Sequence, residues 1–285
     1  MYTINLTLRL TLLALLLRPI GDWFFRPVIL SLAIFGVALP NQLRRPLLWS
    51  VLAILTGLRV ILSWPMADNH AYLLCYWCLA VALALVSRDP RACLALNARL
   101  LVGLTFACAA LWKVVLSPDY LDGRFFGVLL LTDRRFESFA RIAGGLTPEL
   151  LESLRAFVTQ HVDGPFLATL GAPQAPSRFL WLTYLMTWWT VLLEGAIAVT
   201  FLWPLTHRMA QRRDTLLLLF CVTTYAVAPV EGFGWLLIAM GIAQCDSAQR
   251  KTRLLYLAAF FLIVFYRDEW VVQLLEFAQH REIQR

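Results

Sequence analysis

A chain of 285 residues that is 60% hydrophobic and 15% charged, with a mean hydropathy of +0.69, lacks the charge a soluble domain of this length needs to cover its surface. Its net charge of +7 comes without a basic block interleaved with aromatics, which sets nucleic acid aside as a partner; arginines gathered between apolar runs are the pattern of a membrane protein. Those runs are apolar all round instead of alternating, which excludes barrel strands and predicts an all-α, polytopic membrane helix bundle, a single integral membrane domain over 1–285.

The first segment, 1–27, is expected to hold an N-terminal helix. "MYTINLTLRL" has no basic n-region, and no small-residue cleavage site follows "LLALLLRP", so it does not read as a signal peptide. Residues 4–17 form either a short first span or an interfacial helix; Thr7, Arg9 and Thr11 interrupt the apolar surface and favour the interface. Spans are then expected at 28–40, 48–64, 70–87, 97–116, 179–203, 216–229, 233–244 and 254–268, about seven to eight in all. Between 216 and 244 the apolar stretch is long for one span and short for two. Its centre, "APVEGFG", carries Pro229, Gly232 and Gly234, which predicts a broken helical hairpin of two short helices, of the re-entrant kind.

Arginine bias orients these spans. The loops with Arg44 and Arg45, with Arg88 and Arg91, with Arg208, Arg212 and Arg213, and with Arg250, Lys251 and Arg253 are expected in the cytoplasm, whereas 65–69 and 229–234, which lack Lys and Arg, are expected outside. The mixed-charge segment 117–178 then becomes an extracytoplasmic helical cap. Within it Thr147, Pro148 and Glu149 mark a helix start.

Ionisable residues inside spans are costly and point to function. Lys113 stands out because the chain has only one other lysine, Lys251; unlike a guanidinium, a desolvated amine can act as a base. The alternative for Lys113 is a side chain that snorkels to the headgroups. His70 opens a span beside Asp68 and Asn69, which can cap the helix, and a neighbouring carboxylate can hold the imidazole N–H. Arg59 could bind an anionic substrate group or snorkel, Glu194 could relay protons or bond across helices, and Glu231 lies in the broken hairpin, where a plain turn residue is the simpler reading. Charge orientation brings Arg59, His70, Lys113 and Glu231 to one outer depth, with Glu194 deeper. The four histidines fall on different elements without an H-E-x-x-H motif, so no metal is expected. Cys75 and Cys78 form a C-x-x-C that reads either as a redox pair or as small buried residues.

Two stretches carry a resemblance. "DNHAYLLCYW", with Asn69, His70, Tyr72 and Leu73, and "ARLLVGLTFACAALWKVVLSPDYLDGRFF", with Lys113, Asp119, Tyr120 and Gly123, resemble vitamin K-dependent gamma-carboxylase and the bacterial proteins sharing its membrane region, the horizontally transferred transmembrane (HTTM) domain. "TWWTVLLEGAIAVTFLWP" and "APVEGFGW" are similar to later spans of that domain. The resemblance covers roughly 60–240. It implies a multi-pass protein of the bacterial inner membrane whose site faces the extracytoplasmic side. It further implies that Lys113 is the base that deprotonates a lipid-soluble quinol (vitamin K-type or ubiquinol), that His70 assists it, and that a peptide or protein is a candidate substrate. Arg59, Asn69, Asp68, Glu194 and Glu231 are the candidate substrate-binding residues. Two other classes remain open: a transporter or channel subunit, with a polar path past Glu194, and a non-catalytic membrane scaffold or maturation protein.

Overall fold

The computed structural model describes residues 2–160, 174–204, 209–225, 227, 231–246 and 248–266, with the backbone alone at 2, 160, 231, 265 and 266. Among the described residues every regular element is a helix and there is no strand. In chain order these are α1 (Tyr2–Leu17), α2 (Phe25–Ala38), the single turn α3 (Pro40–Leu43), α4 (Pro46–Leu62), α5 (Asn69–Val86) and α6 (Pro90–Leu111). The last of these continues as a π-helix over Trp112–Leu116. Then come α7 (Pro118–Leu121), α8 (Arg124–Thr132), α9 (Glu137–Gly144), α10 (Pro148–Gln160), α11 (Ser177–Leu202), α12 (Arg213–Tyr225), α13 (Glu231–Gln244) and α14 (Arg250–Tyr266). Three stretches, Asn69–Val86, Pro90–Leu116 and Ser177–Leu202, are long and apolar enough to cross a membrane. On that ground the chain is a membrane protein.

Each expected span overlaps a helix, and the boundary differences have local causes. The helix expected from 97 begins at Pro90, because the Asp89 carboxylate accepts from the backbone N–H groups of Arg91 and Ala92, both at 3.1 Å, and proline suits the first helical position. In the expected broken stretch 216–244, α12 is described to Tyr225 and α13 from Glu231, so Gly232 and Gly234, expected to break a helix, lie within α13; residues 226 and 228–230 lie outside the described residues, as does the end of the expected 254–268 span.

The chain divides into two compact units, and the division passes through α6 and α11. One comprises Met1–Thr105, Ile197–Tyr225 and Val230–Glu269; the other is built on Phe106–Ala196. In the first, α4 packs along α5, α1 lies against α2 and α13, and α12, α13 and α14 pack on one another. From Gly234 to Gln244, α13 is buried on every side, as a helix apolar all round should be. Glycine lets its neighbours close in: a Cβ on Gly241 would meet the Tyr256 ring at 2.5 Å.

The interfacial reading of the N-terminal helix rested on Thr7 and Thr11 facing outward, and that premise fails. Thr3, Thr7 and Thr11 are all buried with Leu8 and Leu12. Thr11 donates its hydroxyl to the Thr7 carbonyl at 3.0 Å and accepts from the buried Trp77 indole N–H at 3.0 Å. Thr3 and Thr11 find polar partners inside the bundle, whereas the buried Thr7 hydroxyl has none among the described residues. Arg9 alone of the three interrupting residues is exposed.

The second unit has its own apolar centre. Leu130, Leu131, Phe136, Ala140, Leu146, Leu151, Leu154 and Val158 of α8–α10 and their turns enclose Phe179 of α11. Thr147 caps α10 as expected, its hydroxyl accepting from the Leu150 N–H at 3.3 Å. Arg155, largely buried, donates to the Leu131 carbonyl at 2.8 Å, to Glu137 at 3.1 Å and to Glu152 at 2.8 Å, tying the end of α8 and the start of α9 to α10.

Candidate functional site

Lys113 lies in the π-helical turn that ends α6. Such turns are rare, widen the helix locally and recur at functional sites. Its Nζ donates to Glu194 Oε1 at 2.5 Å, with the lysine side chain 18% and the glutamate 8% exposed. The amine also lies 4.9 Å from the centroid of the Tyr120 ring, within cation–π range. The Tyr120 hydroxyl meets Thr190 Oγ1 at 2.8 Å, so one turn beyond the lysine the chain folds back to roof it. Burial pushes the Tyr120 phenol well above its ordinary range, which keeps that hydroxyl protonated.

The return is set by a compact turn. Asp119 and Asp122 both pair with Arg124, the latter at 2.6 Å. Gly123 sits at φ +83°, and a Cβ there would lie 3.1 Å from the Thr183 hydroxyl; only glycine adopts this backbone easily while approaching α11 so closely. Asp119, Tyr120 and Gly123, which follow the lysine in sequence, thus build the turn that holds an aromatic ring against its amine.

On α11 the polar residues Thr183, Thr187, Thr190 and Glu194 recur at helical spacing and mark one face. Two atoms on this face are buried without a hydrogen-bond partner: Thr187 Oγ1 and Glu194 Oε2. A buried carboxylate oxygen left open is expensive and calls for an explanation in a ligand, a water or a proton. The stripe was visible in the sequence as the spacing Thr-x3-Thr-x2-Thr-x3-Glu, but its pairing with Lys113 was not. Sequence reasoning placed Glu194 deeper than Lys113 and did not join them. The contact is possible because Ser177 lies about 25 Å along α11 from Glu194, so the first half of that helix runs on past Leu116. There it packs against α8–α10: Arg178 donates to the Ala143 and Ile142 carbonyls at 2.8 and 3.0 Å, and Phe179 fills their core.

The other sequence candidates belong to the first unit. Asp68 occupies the N-cap position of α5 but makes no side-chain capping bond. Its carboxylate faces His70 Nε2 at 3.4 Å instead, so the cap expected from this side chain is replaced by a contact with the imidazole. Asn69 is exposed. His70 and Arg59 line one cavity of about 50 Å³ together with Thr11, Arg18 and Gly232. Arg18 was overlooked in the sequence, where it reads as the end of an apolar run. Glu231 begins α13, and its side chain lies outside what is described. Cys75 and Cys78 are both free thiols, Cys78 fully buried and Cys75 at 3.5 Å from the Ala53 carbonyl.

The chain matches no family model, no curated protein and no solved structure in comparisons with each.

Proposed function

We propose that the chain is a multi-pass membrane enzyme of about seven to eight spans that takes the hydroxyl proton of a lipid-soluble quinol at its extracytoplasmic face, with Lys113 as the base. The observation that carries this reading is the buried Lys113–Glu194 pair with Glu194 Oε2 open. A buried ion pair adds little to stability over a well-packed apolar pair, so its presence within an apolar helix pair argues for use. With the one proton the pair shares placed on Glu194, the Lys113 amine is neutral and can take the hydroxyl proton onto its nitrogen, leaving an ammonium. The open oxygen offers an acceptor for an incoming hydroxyl, and the Tyr120 ring walls the amine on one side, so the residues present fit a flat aromatic alcohol. When bound, a quinol supplies an acidic hydroxyl and two electrons. Resemblance to the carboxylase membrane region supports the same base and assigns His70 an assisting part. It leaves the final acceptor as a small molecule, peptide or protein. Arginine bias supports a cell-membrane location with 117–160 outside.

The test is oxygen-dependent quinol consumption by purified protein in lipid nanodiscs in air-saturated buffer, with dissolved oxygen as the two-electron oxidant, followed by ultraviolet absorbance with a menaquinol and a ubiquinol analogue. Lys113→Arg preserves a cation beside Glu194 but cannot give up its proton, and Glu194→Gln removes the carboxylate. Each is expected to lower the rate by about 10²–10⁴-fold, the usual weight of a positioned acid or base. Wild-type protein no faster than empty nanodiscs, or Lys113→Arg as fast as wild type, overturns the reading and leaves the pair as a packing element of a scaffold.

A further inference from the structure

The α6 helix carries a charge that the proton chemistry at Lys113 does not use. With its π-helical end it runs over Pro90–Leu116, 27 residues, a length of about 40 Å. Between Arg91 and Lys113 its only charged side chain is Arg99. Centred in a hydrocarbon layer of about 30 Å, such a helix places the Arg99 backbone roughly 8 Å inside the border at its Pro90 end. A guanidinium at that depth is costly to leave alone. Its Nε is buried and has no hydrogen-bond partner among the described residues, and none of the ion pairs among those residues includes it. The neighbouring arginine of the helix differs: Arg91 donates to the Asp246 carboxylate at 3.2 Å and to the Cys245 carbonyl at 3.5 Å.

The surroundings of Arg99 decide which partner fits. Residues three and four apart share a helix face, so Gly103 lies one turn further along on the same side. There the end of α11 closes in: a Cβ on Gly103 would lie 2.7 Å from Leu202 Cδ2 and 3.2 Å from the Phe201 Cβ. On the adjoining face Leu100 and Leu104 are exposed, as are Val199 and Leu202 on α11. Arg99 thus heads a seam between α6 and α11 whose apolar flanks run on toward the middle of the layer. Side chains of a helix lean toward its N-terminus, and a long basic one reaches for the headgroups along apolar surface. From Arg99 that direction is the Pro90 end.

We infer that Arg99 binds the phosphodiester of one anionic phospholipid in the leaflet at the Pro90 end of α6, cytoplasmic by arginine bias, with an acyl chain along Leu100 and Leu104 beside the end of α11. A guanidinium fork matches two phosphate oxygens, and the single negative charge of the diester balances the charge of Arg99. Basic sites between spanning helices on this side of a membrane take anionic headgroups. A free phosphate would match the charge and leave the apolar seam bare, whereas a lipid covers both. The site makes no use of the Lys113 chemistry, and its test does not read activity.

That test is thermal unfolding of the full chain in detergent micelles, read by tryptophan fluorescence. Phosphatidylglycerol is titrated in, with phosphatidylcholine at the same mole fractions and inorganic phosphate as the two comparisons. A saturable rise in melting temperature with phosphatidylglycerol is expected. Half-saturation is expected about tenfold higher or more in Arg99→Gln, and in between in Arg99→Lys, which keeps the charge and loses the fork. Arg91→Gln, which removes an arginine already paired, is expected to keep the half-saturation of wild type. Should Arg99→Gln fail to fold, Arg99→Lys carries the comparison, with a shift of about threefold expected. The inference is overturned by the absence of a saturable rise in wild type, by an equal rise with phosphatidylcholine or inorganic phosphate, by Arg99 variants that respond as wild type, or by an Arg91→Gln shift as large as that of Arg99→Gln.

Discussion

Lys113 and Glu194 stabilise each other only as a pair. Removing one partner leaves a buried charge uncompensated, at a cost of about 3–5 kcal/mol, whereas replacing both with apolar residues of similar volume is close to neutral. Glu194→Leu alone is therefore expected to lower the melting temperature markedly, and Lys113→Met with Glu194→Leu to recover most of the loss while abolishing any proton transfer. A double-mutant cycle by thermal unfolding in detergent checks this; additive effects would remove the coupling on which the site rests. A second charged contact behaves differently because it is exposed. Asp133 accepts from the Arg135 guanidinium and from its backbone N–H at 3.0 Å, and the guanidinium hydrogen bond holds the carboxyl below its usual range. A lowered carboxyl contributes stability above its ordinary value near 3.9 and loses it as pH falls through the folded value. Asp133→Asn keeps the acceptor for the backbone N–H, so the difference from wild type should stay under about 1 kcal/mol at pH 7 and shrink in melts as pH falls through the lowered folded value.

Helices in the second unit are short, and their ties are specific. Arg155 bridges α8, α9 and α10 through three acceptors, an arrangement that a planar fork with five N–H donors suits and a single ammonium does not. Arg155→Lys is expected to destabilise this unit by about 1–3 kcal/mol, seen as earlier proteolytic cleavage within 117–160 in detergent; unchanged cleavage would mean the fork is not needed. The start of α10 was legible in the sequence because a cap is a local device. Thr147 and Pro148 act on N–H groups within three residues, whatever the rest of the chain does. The start of α6 is encoded just as locally in Asp89 and Pro90, although the continuous apolar run begins only near 97. Thr11 misled for a different reason: a threonine in a helix reads as polar, yet its hydroxyl bonds to the carbonyl four residues back and the side chain packs inside; Thr7 is buried with its own hydroxyl unpaired among the described residues.

Across the whole molecule, large apolar side chains face outward: Leu47, Ile54, Ile61, Trp181, Leu185 and Leu192 are each at least 66% exposed. In water such a surface would aggregate; against lipid chains it is the expected exterior. The stripe Trp181, Leu185, Trp188, Leu192 runs along α11 on the side away from α8–α10. The helices of 117–160 thus lie along the first half of an apolar helix instead of only across its end. Sidedness is checked with single cysteines in a cysteine-free background. Met66→Cys, exposed between α4 and α5, is expected to react with a membrane-impermeant thiol reagent in intact cells. Asn41→Cys, exposed beside Arg44 and Arg45, is expected to react only after permeabilisation. The reverse pattern would invert the proposed orientation.

Residue chemistry alone determined that this chain is helical and membrane-bound, and roughly where its longer helices run, because length, apolarity and caps are properties of neighbouring residues; the short helices α7–α9 were not placed. It also singled out Lys113, His70, Arg59 and Glu194, since a charge inside an apolar run is conspicuous without any fold. Only the tertiary structure decided which of them meet. Lys113 and Glu194 are 81 positions apart, and their contact depends on how far α11 slides past the end of α6, a shift set by the packing of Phe179 and Arg178 against α8–α10. Arg18 joins Arg59 and His70 because α1 is buried beside α13, which no local pattern encodes. Helix identity follows from near neighbours; partnership follows from the stagger and rotation of packed helices, to which distant side chains contribute at once.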